Sequence, residues 1–242
     1  MKTKLWFLLL AMLMSSPAVY SQAKETKGNL TEEKKATIEE LYLQSGDVMI
    51  IRELAFVQDR DMKFESLRLI EDKIKDGTFD SGDPAAHFVL DYLSEEGTGR
   101  TVRVGGRQTN YYPMVRRESA RLLGELGGEN SKDSLLNILL TDDDMMVKAE
   151  AVYALGLIGM NENGEVSKAI SWALKNQNQA VPNDNFATAS LYAIEKILDK
   201  NGSMDDREIY SAIVQIAQNT NYVKPVKEKA YQVIAKIRNA EE

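Results

Sequence analysis

The feature that most constrains this chain is an internal repeat. The segment VRRESARLLGELG, at residues 115–127, is followed 32 positions later by VKAEAVYALGLIG, at residues 147–159. Both share a valine, a basic residue, a glutamate, a small residue and a closing leucine-glycine. From Val147 onward, small or apolar residues recur at steps of four, four and three, which places them on one face of a helix. A helix with one apolar face needs a neighbour that covers it.

Weaker copies of this segment begin at Met62, Phe186 and Val226. A second apolar helical segment precedes each of the five copies, so the chain reads as five helix pairs. One pair cannot bury its own apolar face, and neighbouring pairs must therefore stack into a solenoid. We predict an all-α fold of about five helix pairs over residues 46–239.

The ends of the repeated helix carry recognisable signals. The acidic stretch TDDD, at residues 141–144, is placed to cap the free N–H groups of the second copy. Gly159 follows the last apolar residue, which is typical of a helix C-cap. The small residue at Ala151 predicts that a neighbouring helix approaches closely.

The segment SKDSLLNILLTDDDMMVKAEAVYALGLIG, at residues 131–159, resembles the HEAT repeat, in the short variety named for phycobilisome lyases. The resemblance implies a right-handed α-α superhelix, a HEAT-like solenoid whose second helices line the concave side. The tetratricopeptide repeat, of similar period, is the alternative, although its signature residues are not found in order. The resemblance implies no particular chemistry, since such repeats mostly bind proteins, and nothing in the chain matches a bilin site.

The N-terminus has the three parts of a secretory signal peptide. Lys2 and Lys4 precede a ten-residue apolar core, and a helix breaker with small residues follows. We predict a signal peptide at 1–23, then a polar linker and the start of the first helix at 24–45, and export to the periplasm or outside. A membrane anchor is the alternative, but ten residues cover only about half of a bilayer.

Composition excludes several classes of site and partner. The 242 residues include no cysteine, which excludes disulfides, zinc-thiolate sites and a lipid-modified N-terminal cysteine. The formal net charge of −7 disfavours a nucleic-acid partner. No segment beyond the N-terminal one is apolar enough to span a membrane.

The second helices predict a binding face. At positions opposite the buried stripe of the repeat, arginine and tyrosine recur, and both are enriched at interface hot spots. Ala149 and Gly156 are predicted on the same exposed side. A solvated polar face is the alternative. The predicted concave-face binding residues are Arg68, Arg117, Arg121, Tyr153 and Tyr192.

A basic insertion at 97–112 interrupts the second helix pair. The sequence TVRVGGRQT within it predicts a small β-hairpin around a Gly-Gly turn. Long loops of this kind are often functional, and a tolerated surface insertion is the alternative. The predicted partner-binding residues of the loop are Arg100, Arg103, Arg107, Tyr111 and Tyr112.

Residues with catalytic potential are few. The single histidine, His87, is predicted to be a packing or surface residue. One histidine cannot form a two-histidine metal site, and the chain has no G-x-S-x-G motif that would indicate a Ser-His-Asp triad. We predict no metal site and no cofactor. Trp172 is predicted to lie in the core.

From these observations we expect a non-enzymatic scaffold or adaptor that binds a protein partner in the cell envelope. The alternative is a binding module for an anionic small molecule or glycan, centred on the basic loop. A third hypothesis is an enzyme, which a deep pocket enclosing carboxylates would favour.

Overall fold

The structure is a computed structural model that describes residues 38–179, 181–204 and 206–240. These residues form ten α-helices and one two-stranded antiparallel hairpin, β1 (Arg103–Val104) and β2 (Arg107–Gln108). The helices are α1 (Ile38–Phe56), α2 (Arg60–Lys75), α3 (Pro84–Ser94), α4 (Pro113–Leu126), α5 (Gly128–Thr141), α6 (Met145–Ile158), α7 (Glu165–Gln179), α8 (Asp184–Asn201), α9 (Arg207–Gln218) and α10 (Lys224–Ala240).

The helices pack as five consecutive pairs in two layers. The second helices contact one another in the order α2, α4, α6, α8 and α10. The first helices from α3 to α9 contact one another in the same order. Leucine, isoleucine, valine and alanine side chains form a continuous core between the layers. The fold is therefore an all-α HEAT-like solenoid, as the repeat predicted.

The capping signals around α6 are confirmed with one change. Asp144 is the N-cap, and its carboxylate accepts hydrogen bonds from the N–H groups of Met146 and Val147. Gly159 ends the helix in the left-handed conformation, with φ of +66°. Asp142, which the sequence grouped with the cap, instead binds a buried arginine of the preceding pair. Only part of the acidic stretch caps the helix.

The repeated leucine-glycine marks the closest contact between second helices. A Cβ atom added to Gly124 would lie 2.7 Å from the Cβ of Ala154 in α6. One added to Gly156 would lie 2.4 Å from the Cα of Ala193 in α8. Gly156 is buried by this contact, and Ala149 of α6 is also buried, so the prediction that both are exposed is wrong. Glycine and alanine together let the helix axes approach.

Trp172 departs from its predicted core position. It lies in α7, and 53% of it is exposed. The reason is its position in the helix, because Ile170 and Leu174 are both buried and Trp172 lies about 200° round from each.

His87 is buried as a packing residue, and its Nε2 lies 3.0 Å from the carbonyl oxygen of Ser81.

The predicted signal peptide at 1–23 lies outside the described residues, as does most of the 24–45 segment. Within the described part of the chain, no helix combines the length and apolar character needed to cross a bilayer.

The close contact at Gly156 predicts that Gly156→Ala destabilises the fold by about 1–3 kcal/mol, because the new methyl group overlaps the backbone of α8. Chemical denaturation measures the difference. Gly46→Ala is the matched control, since Gly46 lies in α1 with no atom near its Cβ direction, and there alanine is expected to stabilise by up to about 1 kcal/mol. Equal effects of the two substitutions would contradict the close-contact role.

Candidate functional site

The exposed side of α2, α4, α6, α8 and α10, called here the second-helix face, contains all five residues predicted on the concave side. It divides into two parts with different chemistry. Charged side chains on α2 and α4 pair with one another. Between α6 and α8 lies a groove with aromatic and small apolar walls.

Arg68 is engaged in ion pairs within its own helix. Its guanidinium lies 2.6 Å from the carboxylate of Glu65 and 2.8 Å from that of Asp72. All three side chains are exposed to solvent, and such pairs add little to stability. The structure therefore gives Arg68 carboxylate partners and places it apart from the tyrosines.

Arg121 connects α4 to α2. It contacts Glu118 at 2.6 Å, Glu125 at 2.5 Å and Glu71 of α2 at 3.1 Å. The hydrogen bond to Glu118 is the largest cause of the raised pKa of Arg121. The hydrogen bond from Lys75 is the largest cause of the lowered pKa of Glu71. These charges satisfy one another, so a ligand would have to displace an existing partner of Arg121.

The second part contains a groove that we call the tyrosine groove. It is an open cavity of about 350 Å³ between α6 and α8. Of its walls, Tyr192 is 43% exposed and Met146 is 37% exposed. The groove thus brings two of the predicted binding residues together. Its lining residues are Met146, Ala149, Glu150 and Tyr153 of α6, and Asn185, Thr188, Ala189 and Tyr192 of α8.

The sequence repeat explains the shape of the tyrosine groove. The lining residues of α8 lie 39 positions after those of α6, so each wall residue of α6 has its repeat equivalent in the wall formed by α8. Along each helix the four lining residues follow steps of three, one and three, which is one face of a helix. Ala149 and Thr188 have small side chains and form the floor of the groove. Tyr153 and Tyr192 lie at one end of it.

Arg117 joins the groove indirectly. Its Nε lies 3.2 Å from Oε2 of Glu150, which lines the groove wall.

Two lysines cover the tyrosine rings. The Nζ of Lys196 lies 5.7 Å from the ring centroid of Tyr153, and that of Lys229 lies 4.3 Å from the ring centroid of Tyr192. Cations at such distances are attracted to the ring faces.

The predicted hairpin in the insertion is present. Arg103 pairs with Gln108 and Val104 with Arg107, and the turn uses Gly105 and Gly106 at φ of +57° and +80°. All four strand residues are exposed. Arg103 and Arg107 therefore project from the solenoid on a short turn.

The remaining loop residues contact the protein itself. Arg100 pairs with Glu95 at 3.1 Å and lies 4.5 Å from the ring centroid of Tyr92. The hydroxyl of Tyr111 donates to Asp143 at 3.3 Å. Tyr112 is partly buried against the core at the start of α4. The predicted loop residues thus divide into an anchored set and the exposed arginines of the hairpin.

The root of the insertion is held by Arg116, the basic residue that follows the valine of the repeat. Its side chain is fully buried and pairs with Asp142 at 2.7 Å. It also donates to the carbonyl oxygen of Glu96 at 3.0 Å. Burial lowers the pKa of Arg116, but the hydrogen bond and charge of Asp142 outweigh that effect and the net shift is upward.

A second buried ion pair occupies the equivalent place one repeat earlier. Lys63 Nζ lies 3.1 Å from Oε2 of Glu96, and both side chains are buried. Asn110 joins the same cluster, since its amide donates to Oε1 of Glu96 at 2.9 Å and to the carbonyl oxygen of Arg100 at 2.6 Å. The repeated basic position after the valine was visible in the sequence. The sequence carried no signal that the basic side chain at this position is buried.

Two further cavities lie outside the tyrosine groove. One, of about 540 Å³, lies between the insertion root and the end of α5. The other, of about 330 Å³, lies between α1 and α2. Among residues 38–179, 181–204 and 206–240, no three His, Asp or Glu side chains are grouped as a metal ion would require.

Comparison with known proteins bears on this architecture. The family profile for HEAT repeats matches residues 108–181, which includes α4 to α7 and part of the hairpin. The match supports a HEAT-repeat protein. A curated relative, deoxyhypusine hydroxylase of Phaeosphaeria nodorum, is 33% identical over 95 residues, or 37% of this chain. The matched stretch spans only 29% of that relative's own length.

This relative contradicts the expected function. A non-enzymatic scaffold, with an anion-binding module as its alternative, was predicted because HEAT-like repeats mostly bind proteins. The relative shares part of the chain and is named as an enzyme. The repeat therefore does not imply that catalysis is absent.

The buried pair at the insertion root predicts that Arg116→Met destabilises the protein by about 3–5 kcal/mol, because Asp142 is left as an uncompensated buried carboxylate. The double variant Arg116→Met/Asp142→Asn is expected to recover a substantial part of that loss, since the orphaned charge is removed. Urea unfolding measures both. A double variant less stable than Arg116→Met alone would show that the charge pair is not the cause.

Proposed function

We propose that this protein recognises a polypeptide segment and that the tyrosine groove is its binding surface. The observation that carries the proposal is the meeting of an exposed tyrosine, Tyr192, and a half-buried one, Tyr153, with a floor of small side chains between adjacent repeats. Tyrosine supplies a large contact area at a low cost in conformational entropy. Adjacent tyrosines are therefore well suited to anchor a bound chain.

The dimensions of the groove support a polypeptide. Its walls extend over eight residues of α6, from Met146 to Tyr153, and the seven steps between them span about 10 Å at the rise of a helix. About three residues of extended chain cover this length. The groove is open to solvent, so its bound residues can belong to a longer segment.

The polar residues at the rim support recognition of a backbone. Asn185 offers an amide at the groove wall, and Thr188 offers a hydroxyl on the floor beside Ala149 and Ala189. Convergent polar groups around an apolar surface are typical of binding sites. On α2 and α4 the exposed arginines are occupied by ion pairs with carboxylates, which favours the groove as the binding surface.

The proposal concerns recognition, and it applies to an enzyme as well as to a protein that only binds. A protein that modifies a polypeptide must first hold it. The hydroxylase named above acts, by its name, on deoxyhypusine, and that activity belongs to that protein. For the present chain we propose a surface that binds a polypeptide.

The place of action is a further part of the proposal. The N-terminal pattern of Lys2, Lys4 and the apolar run supports export, with the polypeptide met in the periplasm or outside the cell. The formal net charge of −7 supports a partner other than nucleic acid.

The test is selection of a random twelve-residue peptide library on the immobilised protein, followed by affinity measurement on single peptides. We expect selected peptides to bind Tyr153→Ala and Tyr192→Ala at least about tenfold more weakly than the unsubstituted protein, as for aromatic hot spots.

The control is Tyr210→Ala. Tyr210 is an exposed tyrosine of α9, outside the groove. Its substitution should leave the affinities unchanged, and thermal unfolding confirms that all three variants fold. If no peptide is selected, or if loss of either groove tyrosine does not weaken binding, the proposal fails.

A further inference from the structure

The tyrosine end of the groove carries a pattern of charge that the repeat alone does not predict. Each tyrosine ring lies beside a lysine of the next second helix, Lys196 for Tyr153 and Lys229 for Tyr192. These lysines bring positive charge to the end of the groove where the aromatic rings stand. They differ in whether that charge is neutralised.

Carboxylates on α8 neutralise two lysines of α10. The Nζ of Lys229 lies 2.6 Å from Glu195, and that of Lys236 lies 2.6 Å from Asp199. Lys196 is different, because no carboxylate of the described residues lies within 4.0 Å of its Nζ. One cation beside the groove is therefore left without an acidic partner in this part of the chain.

The acidic residue within the groove already has a partner. Glu150 lines the wall, and Arg117 holds its Oε2 at 3.2 Å. A basic side chain entering the groove would compete with Arg117 for this carboxylate. It would also meet Lys196 and Lys229 beside the rings, and like charges repel at this range. An acidic side chain at the tyrosine end has Lys196 to pair with, the lysine that no carboxylate of the described residues contacts.

We propose that the polypeptide bound in the tyrosine groove carries an acidic side chain at its tyrosine end, which pairs with Lys196. This inference rests on the proposed function and names the chemistry of the partner. The segment places an apolar side chain over Ala149 and Ala189 and a carboxylate toward Lys196. The apolar contact supplies affinity, and the charge selects the segment and its direction.

Two substitutions separate the charge from the contact of the lysine stem. Lys196→Met keeps a long apolar chain near Tyr153 and removes the charge. Lys196→Glu reverses the charge at the same place. Lys168→Glu is the control, because Lys168 is an exposed lysine of α7 that does not line the groove.

The experiment applies the random peptide library to the unsubstituted protein and to each variant. Peptides that depend on Tyr192 should be enriched in Asp or Glu at one position on the unsubstituted protein and on Lys168→Glu. Replacing that residue by Gln or Asn in a selected peptide should weaken binding about tenfold on the unsubstituted protein and have little effect on Lys196→Met. Selection on Lys196→Glu should enrich Lys or Arg at the same position.

The outcomes distinguish this inference from the proposed function. If groove-dependent peptides show no acidic preference, or keep it on Lys196→Glu, the pairing with Lys196 is wrong while polypeptide binding stands. If the enriched peptides are basic, the groove recognises cations through Glu150 and the inference is overturned. If no peptide depends on the groove tyrosines, the proposed function fails first.

Discussion

The structure depends on the close packing of successive second helices, because one helix pair leaves its own apolar face uncovered. Glycine at 124 and 156 lets α6 approach α4 and α8 closely enough for alanine methyl groups to fill the contact. This approach buries the leucine and valine stripe between layers. It also fixes the spacing of the side chains that remain exposed, and the tyrosine groove exists because those helices lie so near each other.

Much of this could be read from the sequence. The 32-residue offset between 115 and 147 and the weaker copies that follow predicted five helix pairs and the caps of α6. The 39-residue offset aligned Tyr153 with Tyr192, and the structure places both in one groove. Repeat proteins are favourable for such inference, since each helix contacts only its neighbours and one register applies throughout.

The remaining features depend on which polar groups meet, and periodicity carries no information about that. Arg116 and Lys148 occupy equivalent positions, yet only Arg116 is fully buried, because the insertion covers it. The arginines at 68 and 121 align with the tyrosines but are held by carboxylates of α2 and α4. Trp172 was misplaced because an apolar residue was assumed to face the core. The position of Trp172 around α7, opposite the buried Ile170 and Leu174, would have predicted its exposure.

The central claim is that the closely packed helices α6 and α8 hold a polypeptide between them. Hydrogen–deuterium exchange of the full chain, with and without a saturating selected peptide, tests it most directly. A peptide held between α6 and α8 should slow exchange in 145–158 and 184–201 and leave the hairpin at 103–108 unchanged. Protection confined to the hairpin, or to α2 and α4, would contradict it.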